Sequence, residues 1–333
     1  MTDAPPGARG AAARGPAAPG GARDGLLAVD KPPGPTSHDV VERVRARLGV
    51  RGAGHLGTLD PPASGLLLVA LGAATRCVSA LQGGEKTYEA TLRLGVVTDT
   101  QDLAGAVLET RPVTCGEAEL RAAAAAMTGD LEQVPPMVSA LRVGGERLHA
   151  IARRGGTVER APRRVHVAAW EWLAIDPPRA TFRVRVSGGT YVRTLAHDLG
   201  ARLGCGAALE RLRRLRSEPF GLERSVTLQE LETLPPDEVW ARGGLGLDEA
   251  LAGLPALTLD AGEAESAGHG RWLALEAERV PPRAVGAGPR GLVLRGPLGL
   301  VGLAEATRDP EAPARVRVAP RVVFRWAVRE GGR

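Results

Sequence analysis

The sequence has no asparagine and only two lysines, Lys31 and Lys86, so nearly all of its positive charge is arginine. Isoleucine is scarce too, and these gaps together read as a base-composition bias of the coding sequence. Arginine abundance alone therefore says little. The two lysines and the two tyrosines, Tyr88 and Tyr191, are the types such a bias removes first, so their positions carry more information. The three cysteines, Cys77, Cys115 and Cys205, stand far apart and form no C-x-x-C pair. That argues against a disulfide framework or a cysteine zinc site and fits a reducing cytoplasm. No apolar run reaches the length of a membrane span, and no apolar stretch near the N-terminus suits a signal peptide. The histidines do not cluster at metal-ligand spacing.

What is present suits a globular protein of two domains. The chain has 333 residues, 44% of them hydrophobic and 24% charged, and its net charge of +5 gives a modest hint of a polyanionic partner. Residues 1–24, almost all Ala, Gly, Pro and Arg, predict a disordered tail. A strand pattern at Leu26–Val29 leads to a helix capped by Thr36 or Ser37, with Val40, Val41, Val44 and Leu48 on one face and Gly49 closing it. Leu66–Leu71 has the length and continuity of a buried strand, and Tyr88, Ala90, Leu92 and Leu94 alternate as in a strand with one buried face. An Ala-rich helix is predicted over 117–128, strands over about 165–174 and 181–187, and a helix opening at Tyr191-Val192-Arg193. Between them, an excursion over about 131–164 carries the basic run Arg153, Arg154, Arg160, Arg163 and Arg164, placed to lie against phosphates. The domain expected over 25–255 is followed over 256–330 by short β-like runs, including Arg315–Val318 and Val322–Trp326, that suit a small β-barrel.

The chain is organised around Gly54-His55-Leu56-Gly57-Thr58-Leu59-Asp60-Pro61. Gly54 and Gly57 permit close backbone approach, Pro61 stops a helix, and the turn presents a single carboxylate. Gly52-Ala53-Gly54-His55-Leu56-Gly57 also matches the dinucleotide fingerprint G-x-G-x-x-G. That fingerprint needs a strand before it, a helix after it and an acidic residue about 20 positions on. A helix pattern precedes it here, Asp60-Pro61-Pro62 forbids the helix after it, and no acidic residue lies between Asp60 and Glu85. A nucleotide-dependent oxidoreductase is thereby rejected.

The sequence closely resembles the bacterial TruB family, the tRNA pseudouridine-55 synthases. The matching stretches are Leu27–Pro32, Gly54–Pro61, Ala63–Leu67, Gly72-x-x-Thr75, Lys86-x-Tyr88, Gly95-x-x-Thr98-Asp99-Thr100 and Pro135-Pro136-Met137-x-Ser139-Ala140, then Gly189–Leu195, Gly204–Ala207 and Leu212–Arg214. They fall in the family's order over about residues 26–220. The resemblance implies a pseudouridine-synthase-like α+β fold: a mixed, mainly antiparallel sheet with flanking helices, and a small C-terminal β-barrel, PUA-like and RNA-binding. It implies that Asp60 is the catalytic aspartate, Tyr88 the aromatic that stacks on the target base, and Arg193 the partner of Asp60. His55, Tyr191 and Leu212 would line the nucleotide pocket, and Lys31 matches a position near it. Leu56 stands where Thr is usual, Val138 and Arg142 where Tyr and Lys are common, and His149 where Tyr is common.

The implied reaction breaks the N-glycosidic bond of a uridine, turns the uracil and rejoins it through C5. It requires no redox change, so no cofactor and no metal are expected. It needs an ionised carboxylate near the sugar, a flat apolar pocket, and a base flipped out of a folded RNA. A guanidinium beside Asp60 is expected to lower its pKa and keep it ionised. The expected partner is tRNA, bound through its TΨC stem-loop, with no membrane and no obligate protein partner, by a cytoplasmic monomer. The rival readings are a non-catalytic tRNA-folding factor and an RNA-guided synthase acting on other RNA.

Overall fold

The computed structural model describes residues 23–328, apart from 140–141, 144–145, 149–150, 152–153, 155 and 289. Most of the expected tail, and Ala140, His149 and Arg153, lie outside the described residues. Arg23–Leu254 form one compact unit and the chain from Pro255 onward a second.

The strands of the first unit are β1 (Gly25–Lys31), β2 (Ala53–His55), β3 (Ser64–Leu71), β4 (Lys86–Leu94), β5 (Val96–Thr98), β6 (Val107–Thr110), β7 (Gly129–Gln133), β8 (Arg142–Val143), β9 (Glu146–Arg147), β10 (Arg163–Asp176), β11 (Arg179–Val186), β12 (Ala207–Ser217), β13 (Phe220–Gly221), β14 (Val226–Thr227) and β15 (Gly244–Gly246). Eleven of them share one sheet, ordered β14-β1-β3-β12-β4-β11-β10-β7, with β2 added to β3, β13 to β12 and β15 to β1. Only β1–β14 and β3–β12 pair in parallel, so the sheet is mixed and mainly antiparallel, as the family resemblance implies.

Local sequence explains these elements. The apolar run of β3 is buried from Gly65 to Leu71, which a strand between two covered faces requires. In β4 buried and half-buried positions alternate from Lys86 to Leu94, one face meeting the core. The helix Ser37–Leu48 starts at a capping box in which Thr36 and Asp39 each bond the other's backbone N–H, and it ends on Gly49 at φ 63°. Its buried stripe is Val40, Val41, Val44 and Leu48, each side chain adding roughly 1.5–3 kcal/mol. With Thr36 as the cap, Ser37 is left free for a second task described below.

The sheet forks at β3. The C-terminal end of that strand pairs with β2, from Ala53 opposite Leu71 to His55 opposite Val69. Its N-terminal end pairs on the same side with β12, Ser64 opposite Arg213 and Gly65 opposite Arg214. Between the two, the Leu56 N–H donates to the Leu68 carbonyl at 2.9 Å and the chain leaves the sheet. Residues 57–63 therefore emerge as a loop from the crotch of the fork. Leu56 is buried there, so an apolar side chain in place of threonine suits the position.

In the second unit β16 (Ala256–Thr258), β17 (Leu273–Glu276), β18 (Leu292–Gly296), β19 (Gly299–Arg308) and β20 (Arg315–Val323) form a curled sheet ordered β16-β18-β19-β20-β17. Leu257, Leu275, Leu292, Leu294, Val316 and Val318 fill its core. The two runs expected at Arg315–Val318 and Val322–Trp326 are instead one strand to Val323 followed by a short 3-10 turn. Pro320 is accommodated because it pairs with Ala304 beside a register shift, where the missing N–H is tolerated.

The fork depends on close approach at Gly65, which has φ 101° and where a Cβ would lie 2.2 Å from the Arg214 carbonyl oxygen. Gly54 differs from expectation. No atom lies within 4 Å of where its Cβ would be, so this glycine admits no tight contact. Gly65→Ala is therefore expected to cost about 3 kcal/mol through overpacking and backbone strain, while Gly54→Ala leaves stability nearly unchanged. Thermal or urea denaturation followed by circular dichroism measures both.

Candidate active site

The loop that leaves the fork is held from beneath by three buried side chains that grip its backbone. Lys31, fully buried at the end of β1, donates to the carbonyls of Pro61 at 3.2 Å and Ala63 at 2.8 Å, and to that of Pro32 at 3.0 Å. Ser37 accepts from the Leu59 N–H at 2.8 Å and donates to the Leu59 carbonyl at 2.9 Å. Arg214 donates to the carbonyls of Gly57 at 3.2 Å and Thr58 at 3.5 Å. The loop closes on itself where the Ala63 N–H meets the Asp60 carbonyl at 3.0 Å. Gly57 takes φ 103°, the left-handed turn that starts the loop. Burial lowers the Lys31 ammonium from 10.5 to about 8, against the opposing pull of the Asp60 carboxylate.

Asp60 is thus presented with its side chain 38% exposed, and Oδ2 lies 3.0 Å from Nε of Arg193, whose own side chain is 5% exposed. Arg193 stands in the first turn of the helix Val192–Arg202. Its guanidinium is fully engaged: Nη1 donates to the Thr100 carbonyl at 2.7 Å and lies 3.5 Å from Oδ2 of Asp102, and Nη2 donates to the Val138 carbonyl at 2.8 Å. Val138 contributes through its backbone, so a valine where tyrosine is common leaves that bond intact. Asp102 is fixed in turn by the Thr100 hydroxyl at 2.7 Å and the Ala104 N–H at 3.1 Å. The Leu103 N–H bonds the Leu209 carbonyl, and the Leu209 N–H the Gln101 carbonyl, tying this loop to β12.

The electrostatics differ from the sequence expectation. Arg193 does pull the Asp60 pKa down, as does Lys31, but burial and the neighbouring Asp102 push it up, and burial is the largest effect. The net result is an Asp60 pKa above its ordinary value. Sequence reasoning placed the right partner beside the carboxylate but could not weigh desolvation against it.

A shallow cleft opens over the pair, lined by Asp60, Pro62 and Ala63, by Asp102–Ala104, by Leu209–Leu212 and by Arg193. Of the seven site residues named from sequence, Asp60, Arg193 and Leu212 line it, while His55, Tyr88, Tyr191 and Lys31 do not. Tyr88 is buried on β4 between Val184 of β11 and Arg214 of β12. His55 ends β2. Tyr191 caps the Arg193 helix, its backbone N–H donating to Oε1 of Gln133 at 2.8 Å; burial raises its phenol pKa, with Asp60, Arg163 and Arg193 all close enough to act on it. Asp102 and the buried Arg214 had no role assigned from sequence. Both stand in or beside the matched motifs, and burial, invisible in the sequence, is what marks them.

Known proteins resemble this chain over most of its length. Residues 45–192 match the TruB family pseudouridylate synthase N-terminal domain, and residues 193–249 the tRNA pseudouridylate synthase B C-terminal domain. A tRNA pseudouridine synthase B of Burkholderia pseudomallei (strain 668) is 46% identical over 297 residues, 89% of this chain and 98% of that one. One from Opitutus terrae is 50% identical over 220 residues, 66% of this chain and 91% of that one. Among solved structures, a Cbf5-Nop10-Gar1 complex is similar at a TM-score of 0.68 and 29% identity, covering 91% of this chain and 84% of that one. An H/ACA RNP bound to a substrate RNA containing 2′-deoxyuridine is similar at 0.66 and 28%, covering 90% and 85%. A carboxylate and its arginine at the mouth of a forked mixed sheet, in a chain matching these models and relatives along most of its length, places the protein in the TruB family of pseudouridylate synthases.

Proposed function

We propose that this chain is a tRNA pseudouridine synthase that isomerises the uridine at position 55 of the TΨC loop, acting on tRNA directly as a cytoplasmic monomer without an obligate protein partner. The observation that carries the reading is the Asp60–Arg193 pair at 3.0 Å, on a loop whose backbone is gripped at Gly57, Thr58, Leu59, Pro61 and Ala63. The N1–C1′ bond breaks, the uracil rotates, a C5–C1′ bond forms, C5 loses its proton and N1 gains one, so substrate and product are isomers. Asp60, ionised, is the group that reacts with the uridine, and Arg193 holds it in position. The target base is flipped out of the loop into the cleft. Leu212 lines the pocket that receives it, Lys31 fixes the loop, and the stacking of Tyr88 on the base and the contacts of Tyr191 and His55 require the cleft to open as the RNA binds.

The excursion supplies further contacts. Arg163 and Arg164 meet the phosphates of the T arm, a reading supported by their exposure at the start of β10, where Arg163 lies near Tyr191. The unit from Pro255 onward is a PUA-like RNA-binding module. Its 53% exposed Trp272, with the Arg317 guanidinium 4.8 Å over the ring, offers a stacking surface for nucleic acid.

Incubation of the purified protein with an unmodified tRNA transcript, followed by chemical mapping of pseudouridine, tests the reading. Wild type should modify the TΨC uridine and Asp60→Asn should not, although both bind tRNA. Tight binding with no pseudouridine from either would instead indicate a tRNA-folding factor.

The raised Asp60 pKa sets the pH dependence. Activity needs the ionised form, so it is lost as pH falls through that pKa, and the acidic limb of kcat/KM should lie above the ordinary carboxylate value near 3.9. Arg193→Gln removes a lowering influence and should move the limb to still higher pH while reducing kcat.

Charge reversal at Arg163 and Arg164 should raise KM with little change in kcat. It should also flatten the dependence of log Kd on log salt by roughly 1 for each phosphate no longer neutralised. Filter binding at several salt concentrations measures this.

A further inference from the structure

Arg214 is 2% exposed, and among the described residues its hydrogen bonds go to backbone carbonyls. Burying a guanidinium is costly unless its donors are satisfied, so a buried arginine without a carboxylate in contact implies that its geometry is needed. Its Nε donates to the Leu66 carbonyl at 2.7 Å, on β3 after the Asp60 loop has rejoined the sheet. Nη2 and Nη1 reach the Gly57 and Thr58 carbonyls, where the loop begins. One planar fork thus spans both ends of the loop that carries Asp60. The backbone of the same residue sits between two strands, opposite Gly65 of β3 on one side and Tyr88 of β4 on the other.

From this arrangement we infer that Arg214 is a positioning residue for the reaction, fixing the Asp60 loop relative to the strand that carries Tyr88. The inference rests on the pseudouridine synthase reading above and adds a residue that acts through Asp60 without touching substrate. Lysine cannot replace it. An ammonium donates from one point, whereas the three carbonyls need donors spread along a guanidinium edge. Nor can the neighbouring Lys86 take over, because its Nζ already donates to the Gln82 and Gly84 carbonyls at 2.9 and 2.7 Å. Removing the fork frees the loop to shift by a fraction of an ångström to an ångström, a displacement that costs roughly 10²-fold in rate when it misaligns reacting groups.

The test compares wild type, Arg214→Lys and Arg214→Gln by single-turnover pseudouridine formation on a tRNA transcript, with tRNA Kd from filter binding. All three are assayed at a temperature where circular dichroism shows each folded. The expected result is a rate lower by roughly 10²-fold in both variants, with Kd within about twofold of wild type because the exposed RNA-contacting residues are untouched. Arg214→Lys should also move the acidic limb of the pH profile upward, because a displaced Asp60 sits farther from the Arg193 guanidinium. A residue that merely fills the core would lower the melting temperature without moving that limb. Wild-type rates in either folded variant, a fall in rate matched by an equal fall in tRNA binding, or unfolding of both variants would overturn the inference. A wild-type protein that forms no pseudouridine would instead overturn the functional reading on which it rests.

Discussion

Positive charge gripping backbone carbonyls is the interaction on which the site depends. Lys31 and Arg214, both in the core, direct their N–H groups at the loop 57–63 and its flanks. Carbonyl dipoles satisfy a buried cation without cancelling its charge, so both residues still act on Asp60's surroundings. Lys31 is one of the influences that draw the Asp60 carboxyl downward, and Arg214 is one of those that lower Lys31 and Lys86. A loop that would otherwise be a polar excursion from a forked sheet is pinned to the core at both its ends.

Burial and counter-charge are balanced at the same carboxylate. Burial makes the Asp60 charge costly, and Arg193 offsets part of that cost at 3.0 Å while being held by Asp102 and the carbonyls of Thr100 and Val138. Arg193 therefore cannot swing away to bind substrate. A carboxylate with a fixed counter-charge and little freedom to reorganise is the kind of preorganised group that the proposed reaction calls for.

Much of this was legible in the sequence where local rules decide. A helix cap at Thr36 or Ser37, the glycine closing that helix at position 49, the unbroken apolar run of β3 and the alternation of β4 each follow from neighbours a few residues apart. The resemblance to one family carried by the motif around Asp60 also implied the pairing of Asp60 with Arg193, which the two side chains make at 3.0 Å. What stayed illegible depends on burial. Leu209–Arg216 reads as a heavily charged segment, yet β12 lies in the middle of the sheet with Arg214 sealed beneath the loop. The sign of the Asp60 shift turns on desolvation, which no residue pattern encodes. Gly54 and Gly65 look alike in the sequence, and only the approach of β12 separates an open position from a crowded one.

The parallel pairing of β3 with β12 has a consequence for how the protein comes into being. The Arg214–Leu66 bond joins residues 148 apart in the chain, and loop-closure entropy must be met before such a contact stabilises anything. During synthesis the segment bearing Asp60 leaves the ribosome long before β12 exists. Until then the fork has one open arm and the loop lacks Arg214, one of the three side chains that hold it from beneath, although every residue of the central motif is already present.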